Sequence, residues 1–506
     1  MTKVIGIDLG TTYSAIATLD DLGNPEIIPD PENNNKITRS AIHIGKDKAI
    51  VGDKALDASI TEPNKFAKNS KIKMADAVVF STKEGDWVEG SKGYTPSQVS
   101  SLVLSKLKDY TSGVKKVVIT VPAHFAQASR TATLDAAKLA GMEAELINEP
   151  TAAVLHYANL PGVKVSGRVL VFDLGGGTFD ITVARVKDKD VKVIASRGDI
   201  HLGGENFNEE LIKIIDKKYK KAKGKGLNVK DTKLAQSAEK IKKILSSKET
   251  ASEIIEGPKG PHKIEIKRDE FEESIDTYIE KIKMLMEQVL EEAKCKPSNI
   301  SQTLLVGGST RIPRISKIIT KIMKKDPVKG VNVDEAVALG AAIFAGLKNK
   351  TALNSAQKKA MSKVDLQDVC NWNMGTIARI QDEEKRQWLQ VNVTVIPRDT
   401  ALPCSETQNL AILVDDQEII KCSVTQSEGE EKEIDFVEVI AEKELSLGKG
   451  RKAGEPIKVT YSYDENQMMH CVFEDVNKKK KVEIDLKPEG SKKIKDLKGD
   501  LDFEIE

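Results

Sequence analysis

Aromatic residues are scarce in this sequence: Phe, Trp and Tyr make up only 4% of 506 positions, so aliphatic side chains must fill the core. A charge excess is also missing. Lys and Arg number 78 against 77 Asp and Glu, a net charge of +1, which leaves no global field to hold nucleic acid or an anionic membrane. Neither is expected as a partner. Long apolar runs are absent too: the longest, Ala336 to Leu347, falls well short of the ~20 residues a membrane helix needs. Cysteines are few, odd in number and widely spaced (Cys295, Cys370, Cys404, Cys422, Cys471), with no C-x-x-C pair for zinc or redox work. That usage predicts a reducing, cytoplasmic setting. The start, MTKVIGIDLG, places a strand-like run where an export signal would need a basic stretch and a long apolar one, so export is not expected.

With 40% hydrophobic and 31% charged residues, the chain reads as globular rather than disordered. At ~150 residues per domain its length predicts roughly three compact units and excludes a single small binding domain.

From Lys3 to about Lys350, short β-branched runs (Val4 to Ile7, Val117 to Val121, Val169 to Phe172, Thr303 to Val306) alternate with stretches of helical period, an α/β pattern. From about Asn371 the texture changes to short alternating segments between turn residues, such as VNVTVIPRDTALP and EPIKVTYSYDENQ, which predicts an all-β module. Between them, SAQKKAMSKVDLQDVC starts polar and helical and ends in the alternating piece Val364 to Val369, an interdomain linker. The expected organisation is residues 1–350, a linker over 351–370, a β module over 371–490 and a short tail over 491–506. The lysine clusters Lys217 to Lys225 and Lys478 to Lys481 read as solvated faces, because acidic residues lie close by.

Two segments resemble each other: IGIDLGTTYSAIA (Ile5 to Ala17) and VFDLGGGTFDITVA (Val171 to Ala184). Each is an apolar strand, an Asp-Leu-Gly turn rich in Gly or Thr, and a second strand, which predicts a β-hairpin whose tight turn lacks bulky side chains. Such a turn can lay backbone N–H groups and Thr hydroxyls around a phosphate. Asp8 and Asp173 stand just before the turns, where a carboxylate can hold a hydrated Mg²⁺ against phosphates. One such hairpin alone is more often structural; two predict an internal duplication with lobes facing across a cleft. A third glycine element, LLVGGSTRIPRI (Leu304 to Ile315), reads as a buried strand running into Gly307, Gly308, Ser309 and Thr310 and then a helix. It is either an ordinary strand-to-helix turn or, beside the two hairpins, a nucleoside-binding edge.

These segments, together with VITVPAHFAQASR, LINEPTAAVLHY, HLGGENFN, EKIKKILS and NVDEAVALGAA, resemble the seventy-kilodalton heat-shock protein chaperones in order and spacing over nearly the whole chain. Even the β region fits, with DVCNWNMG standing where the family has Asp-Val-Thr-Pro-Leu-Ser-Leu-Gly. The resemblance implies an actin-like, two-lobed ATPase of duplicated ribonuclease H-like fold, followed by a β-sandwich that binds extended polypeptide. It further implies ATP/ADP and Mg²⁺ as cofactors, with K⁺ as an additional candidate ion, and unfolded polypeptides, J-domain cochaperones and nucleotide exchange factors as partners. A monomeric, cytoplasmic stress-response protein active in protein folding is expected.

Carried over by the resemblance, Thr11, Thr12 and Tyr13 would form the first phosphate turn with Asp8, and Gly175, Gly176, Gly177 and Thr178 the second. Asp8 and Asp173 would order Mg²⁺ through water; Glu149 matches the glutamate that helps hold the metal shell and attacking water, and Asp180 adds a further carboxylate. Plain hydrogen-bonding roles are the other reading of Glu149 and Asp180. The family's lysine beside the γ-phosphate aligns with Lys71, with Lys68 as the alternative. Glu239, Lys242, Lys243 and Ser246 lie on one helical stretch and match the adenosine-binding positions; without the match they would read as solvent-facing charges. The family usually has Arg where Lys243 stands, which predicts somewhat weaker nucleotide binding because a planar guanidinium is lost. Gly203, Gly204 and Glu205, then Gly307, Gly308, Ser309, Arg311 and Asp334, complete the implied pocket. Pro122 and Arg130 match the switch residues, and Asp365 and Leu366 the linker core.

The sequence departs from the family in two further places. Only EGSKKIKDLKGDLDFEIE follows the β module where the family continues with a helical lid, so a lidless member is expected. TIARIQDEEKRQWLQ is more polar than the family's substrate loops, and Ile420 aligns with the central peptide pocket or is an ordinary strand core position. A non-hydrolysing regulatory homologue and a small-molecule kinase of the same fold are the rival readings.

Overall fold

The computed structural model describes all residues except 1–2, 91, 161–165, 329–331, 383–386, 465–467, 487–500 and 502. The described chain forms two compact units, one of Met1–Phe125, Ala132–Leu366 and Lys492–Glu506, the other of Ala126–Thr131 and Gln367–Ser491.

The first unit repeats one strand arrangement. In its first sheet β1 (Ile5–Asp8) pairs antiparallel with β2 (Tyr13–Leu19), and β3 (Pro25–Ile27) and the short β4 (Thr38–Arg39) both pair with β2. On its other side β1 is parallel to β10 (Lys116–Val121), and β10 is parallel to β11 (Glu143–Asn148). In the second sheet β12 (Ser166–Leu174) pairs antiparallel with β13 (Phe179–Lys187), β13 with β14 (Asp190–Asp199), and β12 is parallel to β17 (Ile300–Val306). A hairpin flanked by a parallel strand thus occurs twice, as the two Asp-Leu-Gly segments predict. Inserted between the elements of the first half are β5 (Ala41–Ile44), β6 (Lys48–Val51), β7 (Phe66–Lys68), the β8 (Val78–Ser81)–β9 (Asp86–Glu89) hairpin, and helices α1 (Asp53–Ala58), α2 (Pro96–Lys108) and α3 (Gln127–Leu139).

Two helices sit where the halves share a core. These are α4 (Glu149–Ala158) and α10 (Ala336–Lys348), the latter being the longest apolar run of the sequence, and they pack with Val118, Ile147, Val169, Val171 and Val306 from strands of both sheets. Gly340 lets the helices touch backbone to backbone: a Cβ there would lie 1.8 Å from the Ala152 carbonyl oxygen. The second half is filled out by α5 (Gly204–Lys223), α6 (Thr232–Leu245), the β15 (Thr250–Ile255)–β16 (His262–Lys267) hairpin, α7 (Arg268–Ser274), α8 (Asp276–Glu292) and α9 (Pro313–Met323). Their apolar stripes close a core around Phe172, Phe179, Phe207 and Phe271, so the few aromatics are concentrated in the interior while Leu, Ile and Val supply most of it. The linker follows as α11 (Ser355–Met361), capped by Asn354 and Gln357, and β18 (Asp365–Gln367), which joins the second sheet beside β14.

The second unit is a β-sandwich of two four-stranded sheets. One has the order β20 (Gln387–Ile396), β19 (Asn373–Asp382), β22 (Ile419–Ser427), β23 (Glu438–Ser446); the other β21 (Cys404–Ala411), β24 (Pro456–Tyr463), β25 (Met469–Asp475), β26 (Lys480–Asp485). Alternate residues such as Val424, Val459, Tyr461 and Phe473 meet between the sheets, and Tyr461 Oη donates to the Gly375 carbonyl at 2.8 Å. Lys478 to Lys481 are exposed, as expected of solvated charge. A final strand, β27 (Glu504–Ile505), pairs with β6 in the first unit. All five cysteines are free thiols.

Candidate functional site

Both hairpin turns open into one cavity of about 580 Å³ in the first unit. From the first hairpin Asp8 and Gly10 to Ser14 reach it; from the second, Asp173, Gly175, Gly176 and Thr178. The turns face each other at contact distance. A Cβ on Gly176 would fall 1.9 Å from Thr12 Oγ1, so only glycine allows that approach. Thr12 Oγ1 is buried with no hydrogen-bond partner in the protein, a hydroxyl left for something bound in the cleft. The second turn is braced from behind by the start of α5: Gly204 N donates to Gly175 O at 3.0 Å and Glu205 N to Gly176 O at 2.7 Å. Gly203, Gly204 and Glu205 therefore support the turn rather than line the cavity.

The floor of the cavity is acidic with one cation. Asp8 ends β1, where Thr120 Oγ1 donates to Oδ1 at 3.0 Å; Asp173 lies near the end of β12; Glu149 opens α4. Lys71, 4% exposed in a short helical turn, directs Nζ onto Glu149 Oε1. Burial, then Glu149, pushes the Asp8 carboxyl up to about 7, and Asp173 is held well above the usual carboxylate range by burial, Glu149 and Asp180. Glu149 is also raised by burial, against the pull of Lys71. On Lys71 burial acts downward, but Glu149, Asp8 and Asp173 outweigh it and keep the ammonium charged. One lysine thus faces three crowded carboxyls, and a further cation would relieve them.

Of the two lysines the sequence left open, Lys71 reaches this floor, whereas Lys68 is half-exposed and pairs with Glu205 at 3.2 Å. Asp180 stands opposite Asp173 across the strand pair, close to His124, without lining the cavity. Among the described residues no three His, Cys, Asp or Glu side chains converge as direct metal ligands.

The far wall is built by α6 and the β17 turn. Glu239, Lys242, Lys243 and Ser246 all line the cavity, as do Gly307, Gly308, Ser309, Arg311 and Asp334. Arg311 and Asp334 form a two-pronged ion pair, 2.8 Å in each arm. Lys242 donates to Gly204 O at 2.7 Å, and burial lowers its ammonium to about 8. Sequence reasoning missed Arg39. Its guanidinium lies over the Tyr13 ring at 4.8 Å, donates to Tyr13 Oη at 2.6 Å, and pairs with Glu239 at 3.2 Å and Asp53 at 3.0 Å. Burial alone would raise Glu239; Arg39 and Lys243 override it and bring the carboxyl down to about 2. Asn35, Lys36, Ile37, Asp53 and Val333 line the mouth as well. They come from loops and an element end with no pattern in the sequence that marks them.

The remaining expected residues lie away from the cavity. Pro122 follows β10, and Arg130, 3% exposed, falls in the segment Ala126–Thr131 that groups with the β-sandwich. Asp365 and Leu366 are in β18, with Leu366 packed on the shared core. Ile420 is half-buried against the sandwich core.

A duplicated hairpin-and-parallel-strand fold closing two glycine-threonine turns over buried carboxylates defines the actin-like, two-lobed class, here joined to a β-sandwich. More narrowly, the chain belongs to the Hsp70 family: the family model described as Hsp70 protein matches residues 4–499. Members of this family are in general ATPases that bind ATP or ADP with Mg²⁺, and they bind unfolded polypeptides and cochaperones. Among the described residues no helix is long and apolar enough to cross a membrane.

Proposed function

We propose that this chain hydrolyses ATP to ADP and phosphate and couples its nucleotide state, through β18, to binding of extended polypeptide by the β-sandwich. The observation that carries the reading is the buried lysine: Lys71 pairs with Glu149 on the carboxylate floor of the cavity that both hairpin turns enclose. A desolvated cation on that floor is suited to the charge that develops on a transferring phosphoryl group, and such a group is costly to bury.

Thr11, Thr12, Tyr13 and the Gly175 to Thr178 turn would cradle the phosphates, with Glu239, Lys242, Lys243, Ser246, Gly308, Arg311 and Asp334 around the nucleoside. Mg²⁺, when bound, would neutralise phosphate charge. The residues suited to holding it are Asp8, Asp173 and Glu149, whose raised carboxyls and single lysine leave room for a cation. Glu149 would also orient the attacking water, and Lys71 would stabilise charge on the transferring group. On the β-sandwich, the β19–β20 hairpin that reads as polar nevertheless exposes Ile380, Trp388 and Leu389, at 47%, 51% and 38%, with Ile380 directly opposite Leu389. That surface supports capture of apolar, extended segments.

A coupled phosphate-release assay tests the reading. We expect Mg²⁺-dependent release of phosphate from ATP, unaffected by added sugars. Tight ATP binding without release would favour the regulatory reading, and sugar-dependent ATP consumption a kinase.

A further inference from the structure

The last residues of the sequence return to the first unit as an added strand. β27 runs parallel to β6, with Glu504 opposite Lys48 and Ile505 opposite Ala49. Its backbone bonds continue past the strand: Glu504 N donates to Asp47 O at 3.1 Å, Glu506 N to Ala49 O at 2.9 Å, and Val51 N to Glu506 O at 2.8 Å. Leu501, Phe503 and Ile505 pack on the core of the first half, and the Phe503 ring lies 5.7 Å from that of Tyr94. Glu504 and Glu506 stay outside, 3.3 Å from Lys48 and 4.0 Å from Lys54. The side of β6 not paired with β5 would otherwise present open backbone groups beside an apolar patch.

The segment that leads into the β-sandwich is seated in a similar way. β18 adds to β14, Asp365 N donates to Lys189 O at 3.2 Å, and Val364 and Leu366 join the core shared by the two halves. Chain on both sides of the sandwich therefore ends in a short strand on an edge of the first unit. Additions of two or three residues are individually weak, so each can leave and return.

We propose that Phe503–Glu506 is a detachable strap: it occupies a strand-binding seat on β6 of the same chain, a seat that an extended segment of matching pattern can take in its place. The seat selects an extended segment with apolar residues at alternate positions and acidic residues between them, because the apolar side chains meet the core while Lys48 and Lys54 flank the strand. Because the strap belongs to the same chain as its seat, its effective concentration is on the order of millimolar, so a free peptide competes poorly while the strap is present.

The test uses a labelled peptide of sequence GDLDFEIE (Gly499 to Glu506) with the full chain, a chain ending at Asp500, and the full-length variant Phe503→Ala/Ile505→Ala. The peptide should bind the shortened chain at least tenfold more tightly than the full chain. Hydrogen exchange at the Val51 amide should rise at least tenfold in the shortened chain and the double variant, and peptide should restore protection in the shortened one. The double variant keeps the whole backbone, so it decides the seat even if the shortened chain folds poorly. Equal peptide binding to the full and shortened chains, or unchanged Val51 exchange in both variants, would overturn the seat. Whether the strand comes from the same chain is tested by light scattering of the full chain across a concentration series, where a monomer at every concentration is expected. A concentration-dependent dimer in which a second copy supplies the strand would overturn a strap acting within one chain.

Discussion

Asp8 is the side chain whose titration should be most visible. Its folded value of about 7 lies above the unfolded value near 4, so the folded state holds that proton more tightly. Its contribution to stability is therefore present at low pH and lost as pH rises from about 4 through about 7. A bound divalent cation pulls the other way and expels the proton. Binding of Mg²⁺ and nucleotide should release protons near neutral pH and strengthen from pH 6 to 8, as read by calorimetry in buffers of different ionisation enthalpy; proton uptake would contradict the site. Asp173→Asn and Glu149→Ala should each lower hydrolysis by ~10²-fold or more while sparing nucleotide binding, since these groups order the metal shell and water. Wild-type turnover in both would remove the assignment. Lys71→Ala should lower turnover far more than Lys68→Ala. It should also destabilise the nucleotide-free protein, because Glu149 loses its buried partner, at a cost of ~3–5 kcal/mol, whereas the half-exposed Lys68 pair is worth under ~1 kcal/mol. Equal, mild effects on rate and melting would show that neither is the catalytic lysine. Asp8 and Asp173 were legible because each stands just before a glycine-rich turn between strands, whereas Glu149, at the start of α4, was reached only through the family resemblance. The choice between Lys71 and Lys68 was not legible, since three positions along a chain that turns sharply there separate a buried floor from a half-exposed rim.

At the scale of elements, the hairpins were readable from alternation broken by Asp-Leu-Gly, and the apolar run Ala336 to Leu347 from its length and composition. The contact of α10 with α4 was not, because the need for glycine at 340 appears only when the Ala152 carbonyl is beside it. β27 shows the same limit. Leu501, Phe503 and Ile505 alternate as a strand should, yet pairing with β6 is a property of the folded edge rather than of the segment. The linker was legible as a short alternating piece, and in the structure β18 adds to the edge of the second sheet beside β14. Exchange between docked and released linker would carry nucleotide state to the β-sandwich. Replacing Asp365 and Leu366 should therefore leave basal hydrolysis within about twofold and abolish its stimulation by peptide. Stimulation that persists unchanged in a steady-state assay would make β18 a tether only.

For the molecule as a whole, the proposed function comes down to one coupling: occupancy of the cavity in the first unit would change how the β-sandwich holds polypeptide, and the reverse would then hold for the binding free energies. The α/β-then-β texture of the sequence made the two-part architecture readable. What it could not show was that the polar-looking β19–β20 hairpin exposes Ile380, Trp388 and Leu389, because exposure depends on which face of each strand the sandwich buries. The most direct measurement is steady-state phosphate release from ATP by the full chain, titrated with an unfolded, apolar-rich polypeptide. The account predicts a saturable rise in turnover that disappears in the Asp365 and Leu366 variant and is absent altogether in Asp173→Asn. Turnover indifferent to polypeptide at saturating concentrations, with the polypeptide shown to bind, would contradict it.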